Sequence, residues 1–144
     1  MIIRPLAENE ISAVAELEKL CFSTPWSEKS IRDSFFSDNN RFFVCEADGQ
    51  LAGYIGMSVS LDEGYILNVA VHPDHRGKGF GKALVRFLID EFGDRLSFIT
   101  LEVRPSNTTA VSLYEGFGFE KVGERRNYYR NPAENALLLT KFFR

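Results

Sequence analysis

The stretch Arg76-Gly77-Lys78-Gly79-Phe80-Gly81-Lys82 places three glycines and three cations within seven residues. An apolar run ending at Val71 precedes it and a helical pattern follows, so it reads as a strand, a glycine-rich turn and a helix start. Such a junction binds anions. Glycine lets backbone N–H groups converge without Cβ clashes, and the free amides and dipole of a helix N-terminus favour negative charge. A P-loop is excluded because its Gly-Lys must precede Ser or Thr, whereas Gly77-Lys78 precedes Gly79 and Gly81-Lys82 precedes Ala83. A dinucleotide fingerprint would need glycine where Lys82 stands. Glu102 lies roughly where a ribose-binding carboxylate would be sought, but the strand before the loop belongs to hairpin-linked strands, not to the opening of a βαβ unit. The pattern that remains is Arg-x-x-Gly-x-Gly, carried by Arg76, Gly79 and Gly81. A ligand-free turn is the structural alternative, but glycines this dense cost backbone entropy and bring no packing.

Two further positions are candidates for proton transfer. Glu102 ends the otherwise apolar run Phe98–Val103, where a carboxylate is costly unless it has a partner or a task. A plain ion pair with a nearby arginine such as Arg104 is the structural alternative. Tyr114 follows Asn107 by seven residues, which is two helical turns, so the two share a side about 10 Å apart. Its alternative is a core aromatic packed on Phe117. His72 and His75 have the spacing of a metal pair but share a proline-containing loop with only Asp74 beside them, so a solvated turn fits better and no metal is expected. Cys21 and Cys45 have no neighbouring base for covalent catalysis and form no disulfide framework. Cys45, in Phe42-Phe43-Val44-Cys45, reads as a buried thiol.

The elements that must position these residues follow from periodicity. Residues 2–4 form a strand that stops at Pro5, and residues 8–21 a helix with Ile11, Val14, Leu17 and Cys21 on one face. Ser27 caps a second helix reaching about Ser37, with Ile31 and Phe35 inward. Strands at 41–47 and 51–60 join through Asp48-Gly49, and 64–71 adds a third. The clearest amphipathic helix spans 79–92, with Phe80, Ala83, Leu84, Phe87 and Leu88 on its apolar face. A strand at 98–103, a short helix capped by Asn107 and ending near Gly116, and strands at 119–129 and 136–142 complete the order. This predicts a mixed α/β domain over residues 1–144 with seven strands and four helices, without repeat or linker.

Composition narrows the partners. The 144 residues are 44% hydrophobic with thirteen Phe, enough for a real core. A net charge of −3 supplies no basic excess for broad nucleic-acid binding, though acidic patches could attract a basic peptide. The start has no signal-peptide pattern and no apolar run approaches a membrane span, so no membrane association and a cytoplasmic location are expected.

The loop, with Val69-Ala70-Val71-His72-Pro73 directly before it, resembles the acetyl-CoA pyrophosphate loop of the GNAT acetyltransferases. Asn107 and Leu113-Tyr114-Glu115-Gly116-Phe117-Gly118-Phe119 fall where that family places its second cofactor-contacting helix. Other segments are similar to one branch, the RimI-type ribosomal-protein-alanine N-acetyltransferases. They are Thr24-Pro25-Trp26-Ser27-Glu28, Leu67-Asn68-Val69-Ala70-Val71, Leu101-Glu102-Val103-Arg104-Pro105-Ser106-Asn107 and Arg125-Arg126-Asn127-Tyr128-Tyr129. The resemblance implies a mostly antiparallel sheet splayed at the acetyl-CoA site. It implies that acetyl-CoA is held by the backbone of Val69, Ala70 and Val71, by Arg76, Gly77, Lys78, Gly79, Phe80, Gly81 and Lys82, and by Asn107. It also implies that Glu102 is a base acting through water and Tyr114 an acid toward the leaving thiolate. The acceptor implied is the N-terminal alanine of a small-subunit ribosomal protein, with Trp26, Tyr128 and Tyr129 as a rim. A short 130–136 segment, with Asn135 in place of an acidic residue, departs from that branch on the acceptor side. Acetylation of a polyamine or aminoglycoside, and a non-catalytic acyl-CoA sensor, are the rival readings.

Overall fold

The computed structural model describes residues 2–143. In chain order the elements are β1 (Ile2–Pro5), α1 (Ile11–Cys21), α2 (Glu28–Phe35), β2 (Asn40–Ala47), β3 (Gln50–Ser60), β4 (Glu63–Val71), α3 (Phe80–Phe92), β5 (Phe98–Val103), α4 (Thr108–Gly116), β6 (Glu120–Tyr129) and β7 (Glu134–Phe142). That is the predicted order, with shifts at the ends. The first expected helix opens as a 3₁₀ turn at Glu8–Glu10 before α1, α2 stops at Phe35, and β7 begins at Glu134. Ser27 caps α2 as expected, its Oγ accepting the Ser30 N–H at 3.1 Å.

One sheet contains all seven strands in the order β1-β2-β3-β4-β5-β7-β6. Every neighbouring pair is antiparallel except β4 and β5. This parallel pair is short, running only from Glu63↔Phe98 to Tyr65↔Thr100. Beyond it β4 stays on β3 and β5 stays on β7, so the sheet opens as a wedge between 66–71 and 101–103. The register of β4 against β3 slips at the same place: Ile66 faces Met57 and Asn68 faces Gly56, so Leu67 is an extra residue. A bulge of this kind bends a strand and re-aims the side chains after it.

The two faces are covered separately. On one, α3 buries Phe80, Leu84, Val85, Leu88 and Phe92 against Ile55, Met57, Ile66, Ile99, Leu101 and Leu139. On the other, α1 and α2 bury Ile11, Val14, Leu17 and Ile31 against Val44, Tyr54 and Ala70. Removing one fully buried leucine from such a layer costs about 2–5 kcal/mol, so the wedge lies between two firm halves.

Candidate active site

The wedge exposes backbone groups. His72 N–H bonds Ala52 O at 2.7 Å, and this ladder puts Ala70 in hydrogen-bonded register with Tyr54. Alternate residues of a strand direct their N–H and C=O to opposite sides. Val69 and Val71 therefore turn theirs into the wedge, while the Ala70 amide is committed to β3. Of the three expected contacts, Val69 and Val71 are the ones that present backbone groups on the open edge of β4. The Val71 carbonyl accepts from Cys21 Sγ and from Arg76 Nε, both at 3.3 Å, and the Val69 N–H is held by Asn68 Oδ1 at 3.1 Å.

At the mouth of the wedge stands the N-terminus of α3. Gly79 caps it at φ +83°, with nothing within 4 Å of where a Cβ would sit, so glycine is there for its backbone and not for lack of space. The first α-helical bond runs from Ala83 N to Gly79 O at 3.0 Å, leaving the amides of Phe80, Gly81 and Lys82 without intrahelical partners. Neither a capping side chain nor an acidic residue occupies the first turn. Arg76, Lys78 and Lys82 are exposed around it. A Cβ on Gly81 would lie 3.6 Å from Val71 Cγ2 and 4.0 Å from Leu113 Cδ2, so this helix start faces both β4 and α4. The cradle fits a pyrophosphate in charge and in donor chemistry.

Across the wedge, Asn107 Oδ1 accepts the Ala110 N–H at 3.1 Å as the N-cap of α4, which leaves its Nδ2 as the donor. Two turns on, Tyr114 is buried with its ring 5.4 Å from that of Phe119 in a T-shaped contact. Phe119 is its ring partner, while the Phe117 ring lies under the Arg86 guanidinium at 5.2 Å. Burial, and then the nearby Tyr129, push the Tyr114 phenol well above its ordinary range. Such a phenol is a poor proton donor in full transfer and a good hydrogen-bond donor to an anion.

Glu102 lies on the opposite face of β5 from Leu101 and Val103, which join the core under α3. Its side chain is only 6% exposed, and both oxygens are engaged. Arg125 Nε donates to Oε1 at 2.8 Å and the Tyr65 hydroxyl donates to Oε2. The ion pair weighed as the structural alternative therefore exists, with Arg125 as its arginine. Arg104 bonds Glu134 at 3.2 Å, donates to the carbonyls of Arg130 and Pro132, and lies over the Tyr129 ring at 4.4 Å. Burial, with Glu102 adding to it, raises the Tyr65 phenol, and burial with Tyr128 pushes Tyr129 up to about 12. Glu102 is thus set among phenols that stay protonated.

The α1–α2 loop and the β6–β7 turn meet. Ser23 Oγ, in the α1–α2 loop, donates to the Asn131 carbonyl in the β6–β7 turn at 2.7 Å. Trp26 lies on the first loop, and Tyr128 and Tyr129, at 4.9 Å ring separation, lead into the second. Asn135 Oδ1 accepts the Asn127 N–H at 3.0 Å and supports an irregular stretch of β6 where Asn127 has φ +52°.

Tyr65, Arg125, Ser23 and Glu18 were not reached by sequence reasoning as parts of this site. Arg125 was named only within the Arg125–Tyr129 segment, and of the other three Glu18 alone carried a signal. It stands seven residues after Ile11 and four after Val14, so a carboxylate shares the apolar face of α1. His72 Nδ1 accepts the Asp74 N–H at 3.1 Å, and His75 packs on Phe80 at 5.6 Å. Among the described residues no group of three or more His, Cys, Asp or Glu is placed to hold a metal, and no helix is long and apolar enough to cross a membrane.

Comparison with known proteins bears on this geometry. The pattern of the acetyltransferase (GNAT) family matches residues 11–119. The [ribosomal protein bS18]-alanine N-acetyltransferase of Escherichia coli (strain K12) is 37% identical over 142 residues, 95% of this chain and 94% of that protein. The crystal structure of the Escherichia coli ribosomal-protein-S18-alanine N-acetyltransferase superposes with a TM-score of 0.92, covering 99% of this chain and 93% of that one at 34% identity. The NatC complex bound to Gag peptide and CoA is similar over 98% of this chain and 97% of that one, with a TM-score of 0.82 and 27% identity.

Proposed function

Since this chain belongs to the GNAT acetyltransferase family, we propose that its one domain, residues 1–144, transfers the acetyl group of acetyl-CoA to a protein N-terminus, the N-terminal alanine of a ribosomal protein. The observation that carries this reading is the closed acceptor side. The Ser23–Asn131 bridge joins the α1–α2 loop to the turn that follows Tyr129, whose phenol feels the buried Glu102 carboxylate, and this suits the end of an extended chain. The bS18-alanine specificity of the E. coli relative and the peptide held by the NatC complex support it.

Acetyl-CoA supplies an acyl group already activated as a thioester. On the donor side the amides of Phe80, Gly81 and Lys82, with Arg76, Gly77, Lys78 and Gly79, hold phosphate, while Asn107 Nδ2, the Val69 carbonyl and the Val71 N–H hold the pantetheine. An amide turned toward the thioester carbonyl polarises it, and one such donor is worth about 2.7–4 kcal/mol in the transition state. The acceptor nitrogen forms the C–N bond as the C–S bond breaks. Glu102 receives the amine proton through a water, and Tyr114 donates a hydrogen bond to the departing thiolate. Arg125, 55% exposed, gives way to the cationic acceptor, whose own charge takes the place of the guanidinium beside the buried carboxylate. Tyr65 stays and fixes the carboxylate. A peptide amine ionises near 8 against about 10.4 for lysine, so a carboxylate has less work to do on an N-terminus. The reaction belongs in the cytoplasm, where acetyl-CoA and nascent proteins meet.

An acceptor panel tests this. Ala-first peptides give a kcat/KM at least roughly 100-fold above spermidine and aminoglycosides. Equal or better turnover of the small amines refutes the peptide reading, and no turnover with any acceptor, despite CoA binding, favours the sensor.

A further inference from the structure

Glu18 has no solvent exposure, yet the chemistry above does not use it. It projects from α1, and its oxygens join three other parts of the molecule. Oε1 accepts the backbone N–H of Trp26 at 2.9 Å. Oε2 accepts from the Tyr54 hydroxyl of β3 at 2.7 Å and from Asn68 Nδ2 of β4 at 2.6 Å. Burial raises its carboxyl, against the pull of the Trp26 N–H and the Tyr54 hydroxyl. A helix packed for stability alone would carry an apolar side chain here, because a buried carboxylate is costly even when bonded.

The elements it joins explain its presence. Trp26 belongs to the loop that bounds the acceptor side. Asn68 sits beside the extra residue of the β4 bulge, and its Oδ1 holds the N–H of Val69, the first amide facing the wedge. A single carboxylate therefore sits between the acceptor wall and the donor strand. Resting on the reading that residues 24–27 border the acceptor, we infer that Glu18 is a positioning residue that holds the Trp26 loop and the Asn68–Val69 bulge in mutual register, so that amine and thioester meet at Glu102. It touches neither substrate. Its effect is on alignment, and misplacement of about 1 Å can cost up to 100-fold in rate.

A polarity swap tests this. In Glu18→Gln the new amide oxygen can keep the Trp26 N–H, but its NH₂ then faces the NH₂ of Asn68, donor against donor. Adding Asn68→Asp restores the link in reverse, and the second Asp oxygen still accepts the Val69 N–H. Glu18→Gln is expected to raise KM for an Ala-first peptide and lower kcat, together roughly 10-fold or more in kcat/KM. The melting shift with CoA is expected to be kept. The double variant is expected to recover to within about threefold of wild type, as coupled neighbours do. A folded Glu18→Gln with wild-type kinetics, or a double variant no better than the worse single one, overturns the inference. Should Glu18→Gln not fold, Asn68→Ala carries the test, since it touches no acceptor-wall residue and still must raise peptide KM. A wild-type protein that leaves peptide α-amines untouched defeats the acceptor reading alone. Amide exchange then decides the coupling: Asn68→Ala speeds exchange at Trp26 as well as Val69 if Glu18 links them, and exchange unchanged at Trp26 overturns the link.

Discussion

Glu102 is held from two sides by groups of opposite character, an exposed guanidinium that can leave and a half-buried phenol that cannot. That difference predicts separable kinetics. Glu102→Gln and Tyr114→Phe each lower kcat by roughly 100-fold or more with CoA affinity unchanged. Tyr65→Phe lowers kcat by about 10-fold or less, because it frees the carboxylate to wander without removing it. Stopped-flow turnover with a saturating peptide reads all three, and near-wild-type kcat in a folded Glu102→Gln moves the base elsewhere. Glu102 was legible in the sequence because a carboxylate at the end of an apolar strand calls for a reason. Its partners were not, since Tyr65 and Arg125 stand 37 and 23 residues away and reach it only through the strand order. Arg104, the nearest cation in sequence, has its own carboxylate in Glu134.

The elements divide in the same way. The strand, glycine turn and α3 were readable because glycine spacing and a 3.6-residue period are local signals. The bulge at Leu67 and the three-pair limit of β4 on β5 were not, because register is settled between strands. The left-handed cap gives a prediction. Gly79→Ala introduces a Cβ at φ +83°, costing about 1–2 kcal/mol in stability, and it tilts the free amides of α3. Wild type melts higher with CoA and the variant gains little; an equal gain removes Gly79 from the phosphate site. The turn beyond Arg104 gives another. Glu134 is held below the usual carboxylate range: burial acts upward but is outweighed by the Ser106 hydroxyl and amide and by Arg104. A carboxyl depressed in the fold stabilises above its ordinary value and loses that contribution as pH falls through the folded one. Urea unfolding at stepped pH therefore declines more steeply on acidification for wild type than for Glu134→Gln, and parallel declines would show that the Arg104–Glu134–Ser106 link contributes nothing.

The whole molecule is a sheet parted between β4 and β5, with free amides and three exposed cations at the start of α3 and a bridge between two loops elsewhere. Glu18, which stands out in the sequence as a carboxylate on the apolar face of α1, joins the Trp26 loop to the β4 bulge because α1 packs over the strand that carries it. The rival acceptors differ in what they ask of the bridged loops. A polyamine or a lysine side chain needs an open groove, whereas a chain end needs a closed one. The Ser23–Asn131 bridge favours the chain end. Mass spectrometry of an Ala-first peptide carrying an internal lysine, reacted with acetyl-CoA and the wild-type protein, tests this most directly. The account predicts the acetyl group on the α-amine, with the lysine unmodified at early times. Acetyl found mainly on the lysine would contradict it.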